Sequence, residues 1–412
     1  MTKPFTFLVT GQSLIHHDLR AIDDPRLAAI KALVRSSAVS FTNFEMTIYG
    51  RHEGWPLKGS YFGCAQPEVL DALKDFGFSV LSLSNNHAFD LGPPGVLSTL
   101  EEASLRGFLH AGIGKDRRSA SKAASASIAG KAVALVSMDA GPGPAFMYAD
   151  DGTDNRPARP GVNRLQVERS FDVDDETFAL LQQVQRRFGT TSLELANYAQ
   201  PNDPPSTSGT EADFFGTVFR RASASARRIE IEPESAITQL AAIRRARANG
   251  DFVIAYLHHH HWEPDWRRVP EWVQEFARLC IDNGASAFVS HGAPVLQGME
   301  IYKQAPLFYG LGNFLFHTSK DETEWSPREV WKSVVATCTF NEKNEIDEID
   351  FRPIVVGGAD ALESRGQQRL PYPVLAEGWL ADEILSDLVE RCEGFGTTLA
   401  RNNERAIYKA RI

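Results

Sequence analysis

Cysteine is scarce and unpatterned. The four present, Cys64, Cys280, Cys338 and Cys392, show no CxxC spacing, which argues against a disulfide framework and a cysteine-built zinc site. Long apolar runs are missing too: no stretch reaches the roughly 18 apolar residues that a spanning helix requires. The amino-terminal MTKPFTFLVTG has neither an extended apolar core nor a small-residue cleavage pattern, so the expected compartment is cytoplasmic, with no membrane partner. Positive charge is in deficit. With a formal net charge of −10, the chain has no general electrostatic attraction for nucleic acid or an anionic membrane. GxSxG elbows, Walker loops and GxGxxG turns are absent, which speaks against a serine hydrolase and a nucleotide fold.

The remaining composition is that of a globular protein, 43% hydrophobic and 23% charged over 412 residues, enough for a full core and one to three domains. Short apolar strands alternate with amphipathic helices. Strands are expected at Phe5–Thr10, Val39–Phe44, Phe78–Leu83, Lys131–Val136, Phe252–Leu257 and Ser286–Ser290. Helices are expected at Asp24–Ser37, Pro67–Phe76, Gly95–Leu105, Glu234–Asn249 and Val269–Asn283, the last with Trp272, Phe276 and Leu279 inward. This rhythm is that of an α/β fold. A hairpin around Lys303–Ala305, an antiparallel pair Trp331–Phe340 and Glu345–Val355, and a helix near Ala381–Arg391 complete the pattern. Order weakens from Ala140 to about Phe214, where Gly, Pro and Asp accumulate around one helix, Asp174–Phe188. That region reads as a long insertion and a candidate lid, and Pro201–Gly209 as a plain loop.

Polar residues follow the short strands directly. Ser84-Asn85-Asn86-His87 ends one, with Asp90 and Gly92 close behind. Gly11-Gln12, Asn43-Phe44-Glu45, the run His258–His261 and Ser290-His291-Gly292 end others. If the strands are neighbours, a carboxylate, an amide and several imidazoles meet at one edge, a mixed nitrogen and oxygen set suited to Zn, Mn, Fe or Co. In an extended run His258 and His260 share a side, so at least one of them is expected to reach a metal, and His259 and His261 are expected to be structural. Glu45 alone is equally a helix cap, and Asp90 a turn cap. The basic run Arg220–Arg228 reads either as a polymer-binding patch or as a solvated edge.

Taken in order, these motifs resemble the CapA-type proteins, named for poly-γ-glutamate capsule synthesis, within the calcineurin-like metallophosphoesterase superfamily. The resemblance rests on Asn43-Phe44-Glu45, Asn85-Asn86-His87-x-x-Asp90-x-Gly92, His258-x-His260, Ser290-His291-Gly292-Ala293-Pro294 and Phe308–Phe314. It implies a four-layer α/β/β/α sandwich of the metallo-dependent phosphatase type: one domain over 1–355, carrying the 140–214 insertion, with 356–412 packed on it. It also implies Glu45, Asn86, His258, His260 and His291 as metal ligands. His87, Asp90 and His291 are the implied catalytic groups. Two positions depart from the family pattern: Gln12 replaces an Asp and Pro294 a His, both serving the same metal in the superfamily. The expectation is one divalent transition metal with at most a weak second, unless His16, His17 or His260 rebuilds the lost half. A metal-dependent hydrolase of an amide or peptide-like C–N bond in a small or oligomeric substrate follows, because losing one of two metals harms phosphoester chemistry most. Phosphoester hydrolysis, racemisation or epimerisation, and non-catalytic capsule or polymer binding are the alternatives.

Overall fold

The computed structural model describes residues 4–189, 209–214, 217–318, 327–358, 362 and 369–410. It is a mixed α/β fold of two compact units, one formed by Met1–Leu165 with Ile237–Ile412 and one by Gln166–Ala236. Of the expected loop Pro201–Gly209, only Gly209 lies within the described residues.

The larger unit holds a nine-stranded and a six-stranded sheet. In the first, Phe5–Val9, Val39–Asn43, Val80–Ser82 and Leu109–Ala111 run parallel in that order. Lys332–Phe340 then pairs antiparallel with Phe5–Val9, and Ile346–Val355 with Lys332–Phe340. In the second, Lys131–Asp139, Phe252–His258, Ala287–His291 and Ala305–Phe308 are parallel. Ala124–Ile128 and Met299–Tyr302 pair antiparallel at its two ends. Central parallel strands are covered on both faces, so they are apolar throughout rather than alternating; every residue of Phe252–His258 is buried.

The sheets meet through aromatic side chains. Phe252 packs on Phe5 and Phe7 at ring separations of 4.8 and 5.6 Å, and Tyr256 on Phe41 at 5.4 Å. Burying each such ring contributes about 1.5–3 kcal/mol, and together they bring the sheets' strand ends to one place. Helices start where the sequence supplies stops and caps: Asp24 accepts from Arg26 N at 2.8 Å ahead of Pro25–Arg35. Gly77 closes Glu68–Phe76 in the left-handed region at φ 109°. The helix Glu271–Asp282 departs from expectation in one respect. Its buried arc is centred on Val273, Phe276, Ala277 and Cys280, so Leu279 falls at the margin and is 44% exposed. All four cysteines are buried and free. No helix among the described residues is long and apolar enough to cross a membrane.

The smaller unit has its own four-stranded sheet, in the order Glu211–Phe214, Thr217–Arg221, Val167–Val173, Ala226–Ile231. Its helix Asp175–Phe188 is capped by Asp174, which accepts from Thr177 N at 2.8 Å. Val173, Phe178 and Ala212 form a small core. The structure therefore divides the region differently from a single 140–214 insertion: 140–165 belongs to the larger unit, and the second unit runs on to Ala236. Residues 374–409 also belong to the larger unit, where Val374–Leu375 and Ala406–Lys409 extend its main sheet.

Candidate metal centre

The residue after Asn43-Phe44 is Glu45, 2% exposed, with its backbone N–H fixed to Ser13 O at 3.0 Å. His258 ends its strand fully buried, and its Nε2 lies 3.3 Å from Glu45 Oε1. Two residues past the end of the strand, His260 is held by its own backbone N–H donating to Gly141 O at 2.7 Å. The donor atoms of Glu45, His258 and His260 all lie within 4.8 Å of one another, and among the described residues no other trio of His, Cys, Asp or Glu groups so closely. Two segments far apart in sequence thus deliver two imidazoles and a carboxylate to one buried point.

The surrounding polar atoms test whether a cation fits there. Nε2 of His258 has Glu45 Oε1 beside it at 3.3 Å, and Nε2 of His260 and Oδ1 of Asn86 are buried without a hydrogen-bond partner. A buried polar atom with no partner costs about 1–3 kcal/mol, and a cluster of lone-pair donors facing one another is the arrangement that a cation relieves. The residues fit a divalent transition metal.

A carboxylate behind the cluster orients it. Asp139, fully buried, accepts from His258 Nδ1 at 2.9 Å. Its second oxygen accepts from Tyr148 OH and from Gly141 N, each at 3.0 Å. This fixes the His258 tautomer with Nε2 turned toward Glu45, as outer carboxylates do for metal-binding histidines. Asp139→Asn is expected to fold and to bind metal about 10–100-fold more weakly, measured by competition with a chromophoric chelator.

Charge follows from this geometry. Burial alone disfavours the His258 imidazolium, but Asp139 and Glu45 outweigh it and push the ring up to about 9. Burial likewise opposes the Glu45 carboxylate, yet His258 holds it below its ordinary range. His260 is pushed down to about 3, by burial first and then by the charge of His258. In the metal-free protein a proton on His258 occupies the cation's role, and an incoming metal must displace it. Metal affinity is therefore expected to rise as pH climbs toward about 9, by up to about tenfold per unit, and then to level off. Metal-free stability runs the other way. Because the folded value of His258 lies above its ordinary one, this contribution is complete below about pH 6.5 and is lost as pH rises through about 9. Titration calorimetry and thermal melts across that range check both signs.

The dyad His87–Asp90 stands beside the cluster. His87 Nδ1 donates to Asp90 Oδ2 at 2.7 Å, which leaves Nε2 as the ring's outward atom. Asp90 Oδ1 is also 2.9 Å from Lys58 Nζ, and Lys58 donates to Asn86 O at 2.6 Å. Asn85 anchors the turn, giving Nδ2 to Phe44 O at 2.8 Å and accepting from His87 N at 3.1 Å. Gly63 must be glycine here: a Cβ would sit 2.1 Å from Asp90 Oδ2 and 2.4 Å from His87 Nδ1.

The other sequence candidates fall around this centre. His291 is the register partner of His258 on the adjacent strand and is 1% exposed. Burial lowers its pKa to about 3, and it stands outside the trio. Gly292 follows at φ +134°, where a Cβ would meet His259 O at 1.8 Å; only glycine lets the two strand ends approach so closely. His259 packs edge-on against Trp272 at 5.2 Å, and His261 Nε2 contacts Ala140 O at 3.1 Å. Gln12 is buried with Oε1 unpartnered. Among the described residues His16 and His17 belong to no group of three possible ligands: His16 N donates to His317 Nδ1 at 2.9 Å, and His17 stacks on that ring at 4.9 Å. The sequence reading missed Asp139, Tyr148 and Lys58. Asp139 carried a usable signal, a carboxylate closing an apolar strand; Lys58 lies in an irregular stretch and carried none.

Comparison with known proteins agrees with the motif order. The family profile described as Bacterial capsule synthesis protein PGA_cap matches residues 6–318. Two uncharacterized proteins of Sinorhizobium fredii (strain NBRC 101917 / NGR234), y4sH and y4uA, are each 30% identical over 438 residues, spanning 96% of this chain and 91% of their own. The Capsule biosynthesis protein CapA of Bacillus anthracis is 24% identical over 253 residues, 61% of this chain and 43% of that protein.

Proposed function

Because the chain belongs to the family of bacterial capsule synthesis proteins described as PGA_cap, we propose that its strand-end cluster holds one divalent transition metal and that the protein hydrolyses an amide or peptide-like C–N bond. The observation that carries this reading is the convergence of Glu45, His258 and His260 next to the His87–Asp90 dyad. In this reading Glu45, His258 and His260 hold the metal, with Asn86 Oδ1 and His291 available to complete its coordination. A metal there supplies Lewis acidity to a substrate oxygen or to a water. Asp90 orients His87 through Nδ1, and in the doubly protonated ring the Nε2–H delivers a proton to the departing nitrogen. Asp139 keeps His258 aimed.

The single-metal form follows from Gln12 and Pro294, since an amide oxygen and a proline ring replace an anionic and an imidazole ligand. The facing sheets support reading the fold as the inner layers of a four-layer α/β/β/α sandwich. The substrate is a small or peptide-like molecule in the cytoplasm. The test is a screen of untagged protein loaded with Zn, Mn, Fe or Co against peptide and amide panels and phosphoester panels. Chelator-sensitive release of amine, above any phosphate release, is the expected result. Phosphoester turnover with no amide turnover would overturn the proposal.

A further inference from the structure

A cavity lies away from the metal centre. It measures about 1160 Å³ and shares no lining residue with the cluster. It opens between the last strand of each sheet, Leu109–Ala111 in one and Ala124–Ile128 in the other. Leu100 and Leu105, from the helix Gly92–Leu105, join Ile113 and Ala246 as apolar walls. Leu105 is 78% exposed and stands at the cavity's rim.

The charges around this cavity are unbalanced. Both acids on its wall are already engaged: Glu101 pairs with Arg51 at 2.6 Å and His52 at 3.0 Å, and Glu102 with Arg106 at 2.5 Å. Lys115, Lys122 and Arg245 line the same cavity, and none has a side-chain partner among the described residues. His110 adds no charge, since burial lowers it to about 4; its Nε2 lies 2.9 Å from Ser104 Oγ. The basic run of the smaller unit behaves in the opposite way. There Arg220 pairs with Glu211 and Glu230, Arg221 with Asp175, and Arg228 with Asp172. In a chain of net charge −10, three unpaired cations therefore gather at one cavity.

We propose that this cavity is a binding site for a small organic anion, a carboxylate, sulfonate or phosphate head on an apolar body. Lys115, Lys122 and Arg245 receive the head, and Leu100, Leu105 and Ile113 receive the body. The volume is about that of ordinary small-molecule sites, which combine apolar walls with a few placed polar groups. Like-charged groups facing one cavity focus a field that favours an anion.

The test is fluorescence titration of the full chain with anilinonaphthalene sulfonate, which has both features, and with phenylnaphthylamine, which has the same rings without the charge. Saturable binding of the sulfonate at one site per chain is expected, weakening as salt rises. The triple variant Lys115→Ala, Lys122→Ala, Arg245→Ala is expected to melt as the parent does, to bind the sulfonate about tenfold or more weakly, and to bind phenylnaphthylamine as before. Leu105→Ser is expected to weaken both probes. No saturable sulfonate binding, or equal affinity in parent and triple variant, would overturn the proposal, as would a loss of both probes in the triple variant.

Discussion

His258→Ala protein is expected to retain less than about one-tenth of the parent's metal after identical purification, with affinity falling by two orders of magnitude or more. Glu45→Ala is expected to do the same. The size follows from the geometry. His258 offers its only free nitrogen to the cluster, 3.3 Å from Glu45, with the other nitrogen committed to Asp139. Removing the ring deletes a ligand and also leaves Asp139 fully buried without its cationic partner. Stranding one member of a buried pair costs about 3–5 kcal/mol, so His258→Ala should also melt well below the parent when both are metal-free. Elemental analysis reads the first effect and a thermal melt the second. His258→Asn separates them, since it keeps a polar group for Asp139 while removing the aromatic nitrogen that binds metal.

His87→Ala is expected to retain its metal and lose turnover by about 10²–10⁴-fold, the usual contribution of a positioned general acid. His87 is not among the three clustered ligands, and its Nδ1 is taken by Asp90, so only Nε2 is left for a reacting group. A purely structural histidine would not discriminate between leaving groups. A proton donor would: the His87→Ala defect should be largest for ordinary amides and should shrink for activated anilides, whose amine leaves with less protonation. Rates on a matched pair of such substrates, with metal content measured in the same samples, decide between the roles.

The legible part of this centre lies where a strand's apolar run stops at a polar residue. Glu45 and His258 are such residues, and two-residue alternation puts His260 on the side of His258, so these three positions were visible in one dimension. Asp139 has the same placement, but the expected strand ended at Val136 and left it among the loops. In the structure the strand continues through Ser137 and Met138, both buried. Lys58 reaches Asp90 from a stretch with no periodicity to place it.

The smaller unit was hidden for a different reason. Its strands VERSFDV and ARRIEI carry charge on their exposed positions and little apolar alternation, so they read as irregular chain. The other two strands of that sheet, Glu211–Phe214 and Thr217–Arg221, show why the basic run is not a free patch. Pairing places Glu211 opposite Arg220, and such cross-strand pairs neutralise each other in a way that linear sequence does not display.

The central claim is that Glu45, His258 and His260 hold a metal, and a crystal of untagged protein measured on both sides of a transition-metal absorption edge tests it most directly. The account predicts one strong anomalous peak at about 2.0–2.2 Å from Glu45, His258 Nε2 and His260 Nε2. An empty cluster after the metal has been offered, or a peak bound by other residues, would contradict it.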